Sequence, residues 1–81
     1  MQVTVLGGGS WGTTVASLVA SRNDTMLWAR NPDVAEEINS QHSNTGYLSG
    51  FRLNRKLTAT ADLEQAVKRA ELLIVGVPTS A

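Results

Sequence analysis

The stretch VLGGGSWGTT, residues 5–14, decides the fold. Gly7, Gly9 and Gly12 stand there at G-x-G-x-x-G spacing, directly behind Gln2 to Leu6 (QVTVL), a short β-branched run that reads as a buried strand. From Ser10 to about Arg22 the period changes. Trp11, Val15, Leu18 and Val19 fall on one helical face, and Asn23 reads as the terminator. Strand, glycine loop and helix together are the setting in which this spacing acquires a meaning. Gly7 permits a tight turn, Gly9 removes a side chain that would block a pyrophosphate, and Gly12 lets helix and strand approach closely. The helix N-terminus adds unpaired N–H groups and a partial positive charge. A purely structural turn and another type of phosphate loop are the competing readings. The Walker type is excluded locally, because no Gly-Lys-Ser or Gly-Lys-Thr follows.

Outward from the loop, strands and helices alternate. Thr25 to Ala29 (TMLWA) reads as a second strand, followed by Asn31 as N-cap, Pro32 as first helical residue and Asp33, Glu36 and Glu37 as acids near the positive helix end. Val34, Ala35 and Ile38 form that helix's apolar stripe, which fades near Ser40. Gln41 to Lys56 has no clear period and reads as an irregular loop with one helical turn at most. Leu57 to Thr60 reads as a short strand. Asp62 and Gln65 fit an N-cap and N3 pair, ahead of an apolar repeat at Leu63, Ala66, Val67 and Ala70 with Lys68 and Arg69 in the last turn. Leu72 to Val77 (LLIVGV) is apolar on both alternating faces, as a strand covered by helices on each side would be, and Pro78 stops it.

The order β-α-β-α-β-α-β implies an α/β, Rossmann-type parallel sheet with helices on both faces and right-handed crossovers. With its first four strands only, that sheet is incomplete, so residues 1–81 read as the N-terminal part of a dinucleotide-binding domain. The fourth strand is left as an edge that more chain or a partner should cover.

Composition narrows the function. Lys plus Arg and Asp plus Glu balance at 7 each, which gives no field to hold a nucleic-acid backbone or an anionic membrane; neither is expected as a partner. There is no cysteine and only one histidine, His42, so thiolate catalysis is excluded and no metal site is expected. The sequence opens on strand-like residues without a targeting pattern, and its longest apolar run, LLIVGVP from Leu72, is too short to span a bilayer. The expectation is a cytoplasmic protein.

Cofactor preference is read about twenty residues past the loop, where an acid would bind the adenosine 2′-hydroxyl. Arg30 and Asn31 stand there with no carboxylate. A cation at this place pairs with a 2′-phosphate and stacks on adenine, which favours NADP(H) over NAD. The alternatives are a solvated surface arginine, and Asp33 turning back toward a ribose.

With these residues in hand, the chain resembles the N-terminal part of the bacterial-type NAD(P)-dependent glycerol-3-phosphate dehydrogenases. Four segments carry the resemblance across essentially the whole chain: GGGSWGT at 7–13, LWARNP at 27–32, INSQHSNTGYLSG at 38–50 and VGVPTSA at 75–81. The resemblance implies reversible hydride transfer between NAD(P)H and dihydroxyacetone phosphate, giving sn-glycerol 3-phosphate for phospholipid synthesis. It implies that Ser10 and Trp11 contact the cofactor from the loop, that Arg30 and Asn31 lie at the adenosine end, that Tyr47 lines the cofactor side, and that Val77 and Pro78 lie near the nicotinamide half. Gly46 and Ser49 depart from the family pattern, which usually has a basic residue before the Tyr-Leu pair and proline before the glycine. Both departures loosen that loop.

The family's catalytic lysines, aspartate and substrate-phosphate contacts come after the fourth strand and from a helical C-terminal domain. No catalytic residue is therefore assigned here, and the 81-residue chain alone is expected to be inactive. Lys56 and Lys68 read as surface residues, while Arg52 and Arg55 read as solvated charges or as contacts to phosphate or to that further domain. Trp11 reads as cofactor wall or helix core, Trp28 as core, and His42 as a loop histidine. Two other functions start from the same glycine loop: a stand-alone, non-catalytic nucleotide-binding module, and a fragment of a Rossmann reductase acting on a keto acid. The narrow LWARNP and HSNTGYL matches weigh against the latter.

Overall fold

Strand β1 (Gln2–Leu6) is the centre of the sheet, and its alternation explains how the layers form. Val3 and Val5 face one side and join the main apolar cluster with Leu27, Ala59, Ala16, Ala20, Ala35 and Ile38. Thr4, between them, faces the other side, where its hydroxyl donates to the Ala66 carbonyl at 2.7 Å. A computed structural model describes residues 1–7 and 9–76 of the chain. In it β1 is followed by α1 (Ser10–Val19), β2 (Asp24–Trp28), α2 (Pro32–Gln41), β3 (Thr58–Thr60), α3 (Leu63–Lys68) and β4 (Leu72–Val75).

The sheet is four-stranded, in the order β3-β2-β1-β4. Every pairing is parallel, with Val5 opposite Leu27 on one side and Ile74 on the other, and Leu27 opposite Ala59. Helices α1 and α2 contribute Ala16, Ala20, Ala35 and Ile38 to the Val3–Val5 face, and α3 lies on the Thr4 face. This is the expected parallel α/β arrangement, with β4 at an edge.

Helix α1 departs from its apolar periodicity. Its buried residues are Gly12, Thr13 and Ala16, whereas Trp11 is 60% exposed and Leu18 70% exposed. The cause is distance: the first turns of α1 lie so close to the strand ends that small residues fit between, and Gly12, Ala16 and Ala20 recur every fourth residue, while Val19 of the expected face still packs against the core. The helix also ends at Val19, not near Arg22, where the backbone N–H and side-chain Nδ2 of Asn23 both donate to the Val19 carbonyl. In α3, Ala66 is buried while Leu63 and Val67 stay substantially exposed.

The caps of α2 and α3 follow from their sequences. Asn31 accepts from the Asp33 amide at 2.8 Å, and Asp62 accepts from the Gln65 amide at 3.2 Å. Gln65 does not reach back to Asp62; the Thr60 hydroxyl donates to the Gln65 side chain and accepts from the Asp62 amide instead. Arg69 is the C-cap of α3 and not merely a dipole-favoured surface cation. Its guanidinium donates to the Val3 carbonyl, the Thr4 hydroxyl and the Asp24 carbonyl, and pairs with the Asp24 carboxylate at 2.9 Å. Trp28 is half-buried and donates its Nε1–H to the Ala61 carbonyl. Leu57 is buried just ahead of β3, and Leu53 and Asn44 from the aperiodic segment are buried as well.

Candidate functional site

The carboxyl ends of the parallel strands lie along one edge of the sheet, and three backbone bonds draw them together. Gly7 N–H donates to Trp28 O, Ala29 N–H to Thr60 O and Gly76 N–H to Leu6 O, at 2.9, 2.9 and 2.7 Å. Gly7 adopts φ +120°, a backbone state closed to other residues, and turns the chain from β1 toward α1.

Gly12 and Gly9 lack side chains for different reasons. A Cβ on Gly12 would be driven into the Gly7 carbonyl oxygen and would also meet the backbone of Gly76. A Cβ on Gly9 would have no atom of the described residues within 4 Å, and its φ of −74° suits any residue, so no contact among the described residues requires a glycine there. What the missing side chain leaves is open space in front of a helix end. That end is exceptional within the molecule: α1 has no side-chain cap and no acid in its first turn, whereas α2 carries the Asn31 cap and Asp33, and α3 the Asp62 cap and Glu64. Unsatisfied amides, a positive dipole end and a cleared approach are the physical requirements of a phosphate cradle. The residues present fit a dinucleotide pyrophosphate.

Ser10 and Trp11 head α1 beside this space, and both are exposed. The indole of Trp11 folds toward β4, where a Cβ on Gly76 would meet its Cε3 atom at 3.3 Å. Arg30 is exposed two residues past the Trp28 carbonyl that receives Gly7, and it makes no ion pair among the described residues. Asn31 has its carbonyl oxygen engaged as the α2 cap, which leaves Arg30 the freer of the two. Val77 and Pro78 lie outside the described residues.

The segment after α2 is held from two sides. Asn44 is 1% exposed and its Nδ2 donates to Thr13 Oγ1 in the first turn of α1, at 3.0 Å. Glu37, on α2, accepts from the Ser43 hydroxyl at 2.7 Å and from the Thr45 amide at 3.0 Å. These bonds, led by that of Ser43, hold the Glu37 carboxyl below its ordinary pKa against a smaller opposing effect of burial. One turn follows, in which the Asn44 carbonyl accepts from Tyr47 and Leu48. Tyr47 is 59% exposed, and Leu48 packs on the core. His42 closes α2 at φ +56°. A separate cleft of about 320 Å³, lined in part by Arg22, Asn23 and Lys56, lies beyond the C-terminal end of α1, where the helix dipole disfavours anions.

Sequence reasoning gave no site role to Gly76, Asn44 or Thr13, and took Glu37 only as an acid near the positive end of its helix. All three of the former stood in quoted motifs, but only a close backbone approach reveals the purpose of Gly76, and only a tertiary contact that of Asn44 and Thr13.

The family model described as NAD-dependent glycerol-3-phosphate dehydrogenase N-terminus matches residues 2–81. The chain belongs to this family. Among curated relatives, the glycerol-3-phosphate dehydrogenase [NAD(P)+] of Carboxydothermus hydrogenoformans is 48% identical over 82 residues, covering 100% of this chain and 24% of the relative. The Thermobifida fusca enzyme of the same name is 46% identical over 79 residues, covering 95% of this chain and 24% of its own length. The chain thus spans about a quarter of the length of these relatives. Of solved structures, the glycerol-3-phosphate dehydrogenase of Plasmodium falciparum superposes with a TM-score of 0.88 at 30% identity, covering 96% of this chain and 25% of that one. That of Coxiella burnetii gives 0.79 at 29% identity, covering 96% and 24%. The glycerol-3-phosphate dehydrogenase N-terminal family and its parallel α/β fold therefore agree with the glycine-loop geometry. Among the described residues no helix is long and apolar enough to cross a membrane, and no group of three or more His, Asp and Glu side chains is placed to hold a metal.

Proposed function

We propose that residues 1–81 are the N-terminal, NAD(P)(H)-binding part of a glycerol-3-phosphate dehydrogenase whose catalytic C-terminal domain lies in further chain. The observation that carries the reading is the pairing of Gly9 with α1: a glycine that no contact among the described residues requires, before a helix end without a side-chain cap there. Gly7 and Gly12 bring the helix up against the strand, and the N–H groups at Ser10, Trp11 and Gly12 bind the pyrophosphate. Trp11 and Tyr47 wall the site. Arg30 pairs with the adenosine 2′-phosphate, which makes NADPH the preferred cofactor, and Asn31 holds the turn beside it. Val77 and Pro78, next in sequence after Gly76, are assigned to the nicotinamide half by resemblance to the family.

When bound, the reduced cofactor would supply the hydride that turns dihydroxyacetone phosphate, with a proton, into sn-glycerol 3-phosphate, and the oxidised cofactor would accept it in the reverse direction, for glycerophospholipid synthesis in the cytoplasm. This part of the chain binds and orients the dinucleotide; polarising the carbonyl and holding the substrate phosphate fall to the further chain. The test is a titration of the chain with NADPH and NADH, followed by nicotinamide fluorescence, alongside an assay with dihydroxyacetone phosphate. The expected result is saturable binding, tighter for NADPH, with no turnover above a protein-free control. Absence of binding, or turnover proportional to chain concentration, defeats the reading.

A further inference from the structure

Thr13 is the residue where two loops meet. Its backbone N–H donates to the Gly9 carbonyl at 3.0 Å, the first turn of α1, and its hydroxyl accepts from Asn44 Nδ2 at 3.0 Å. Both side chains are buried, so neither can touch a ligand lying in the open space before Gly9. Asn44 in turn accepts at its own carbonyl from Tyr47 and Leu48. A rigid path therefore runs from the exposed Tyr47, through Asn44 and Thr13, to the glycine that leaves the phosphate space open. Glu37 steadies the far side of the path through Ser43 and Thr45. We infer that Asn44 is a positioning residue of the dinucleotide site, setting the first turn of α1 against the 43–48 loop through Thr13 Oγ1. The inference rests on the dinucleotide-binding reading above and adds to it a role for a residue that the ligand does not reach.

The geometry makes the effect specific to ligands that engage the helix end. A misplaced first turn weakens the amide contacts to a pyrophosphate and leaves contacts at Arg30, on the other side of the Gly7 turn, in place. The experiment titrates wild-type chain and variants with NADPH and with adenosine 2′-monophosphate, which carries the adenosine end and its 2′-phosphate without a 5′-phosphate. Each variant is read only where its far-UV circular dichroism matches wild type. Asn44→Ala and Thr13→Val should each weaken NADPH binding about fivefold or more, the scale of one lost hydrogen bond, with adenosine 2′-monophosphate affinity changed by less than about twofold. The double variant should lose less than the sum of the two single losses, because the two residues share one hydrogen bond. Thr13→Ser, which restores the hydroxyl, should recover most of the affinity.

If Asn44→Ala does not fold, the contrast between Thr13→Val and Thr13→Ser carries the test. NADPH affinity unchanged in a folded variant, additive losses in the double variant, or equal loss of both ligands overturns the positioning role. Failure of the wild-type chain to bind either NADPH or NADH is a different outcome, which removes the dinucleotide reading itself.

Discussion

The backbone of Gly76 lies against that of Gly12: a methyl group on Gly76 would come to 3.0 Å from the Gly12 Cα. The end of β4 and the first turn of α1 are thus in backbone contact with no side chain between them. Gly76→Ala should cost about 1–3 kcal/mol through overpacking, and Gly12→Ala more, because its methyl meets a carbonyl that cannot move without breaking the turn at Gly7. Urea unfolding midpoints at unchanged slope would measure both, and a Gly12→Ala midpoint equal to wild type would contradict the close approach.

Gly9 should behave in the opposite way. Its backbone angles are open to alanine and a methyl there meets nothing, so Gly9→Ala should hold or raise stability by about 0.4–1 kcal/mol through reduced freedom of the unfolded chain. Dinucleotide affinity should fall about tenfold or more, since that methyl occupies phosphate space. A variant that binds NADPH as tightly as wild type would show that the ligand lies elsewhere.

Arg30 has no ionic partner of its own among the described residues. Replacing it with alanine should lower the ratio of NADPH to NADH affinity about tenfold or more, the scale of a charge-assisted bond, with little change for NADH. An unchanged ratio would return Arg30 to the solvated surface.

The order of elements was legible because each boundary has a local chemical marker: glycines after Leu6, Asn31 with Pro32, and Asp62 ahead of its helix. The glycine loop was legible for the same reason. The burial of α1 was not, since ranking its residues by apolarity favours Trp11 and Leu18, while the residues it buries are Gly12, Thr13 and Ala16. Nor was Asn44, a loop residue that bonds to Thr13 on α1 and whose burial depends on tertiary contact. Local signals reveal where an element begins; they carry no information on how far it stands from its neighbour.

Glu37 gives the fold an acid-sensitive joint. Its folded pKa is lowered, so its contribution to stability is complete above the unfolded value of about 4.3 and is lost as pH falls through the folded one. The thermal midpoint of wild type should therefore exceed that of Glu37→Gln at pH 6, with the gap closing as pH drops below about 4.3. Parallel curves for the two proteins across that range would show that the carboxylate does not hold the loop.

The sheet order has a consequence for how the molecule is made. β1 is synthesised before the other three strands, yet one of its two neighbours is β4, with Val3 opposite Leu72. At about 5–20 residues per second, the strand waits roughly 4 to 14 seconds for that partner to be synthesised. Through this interval it is paired on one side at most, with a bare row of amides and carbonyls that any passing strand can join. Slow codons ahead of residue 72 lengthen the exposure, and those after residue 75 do not.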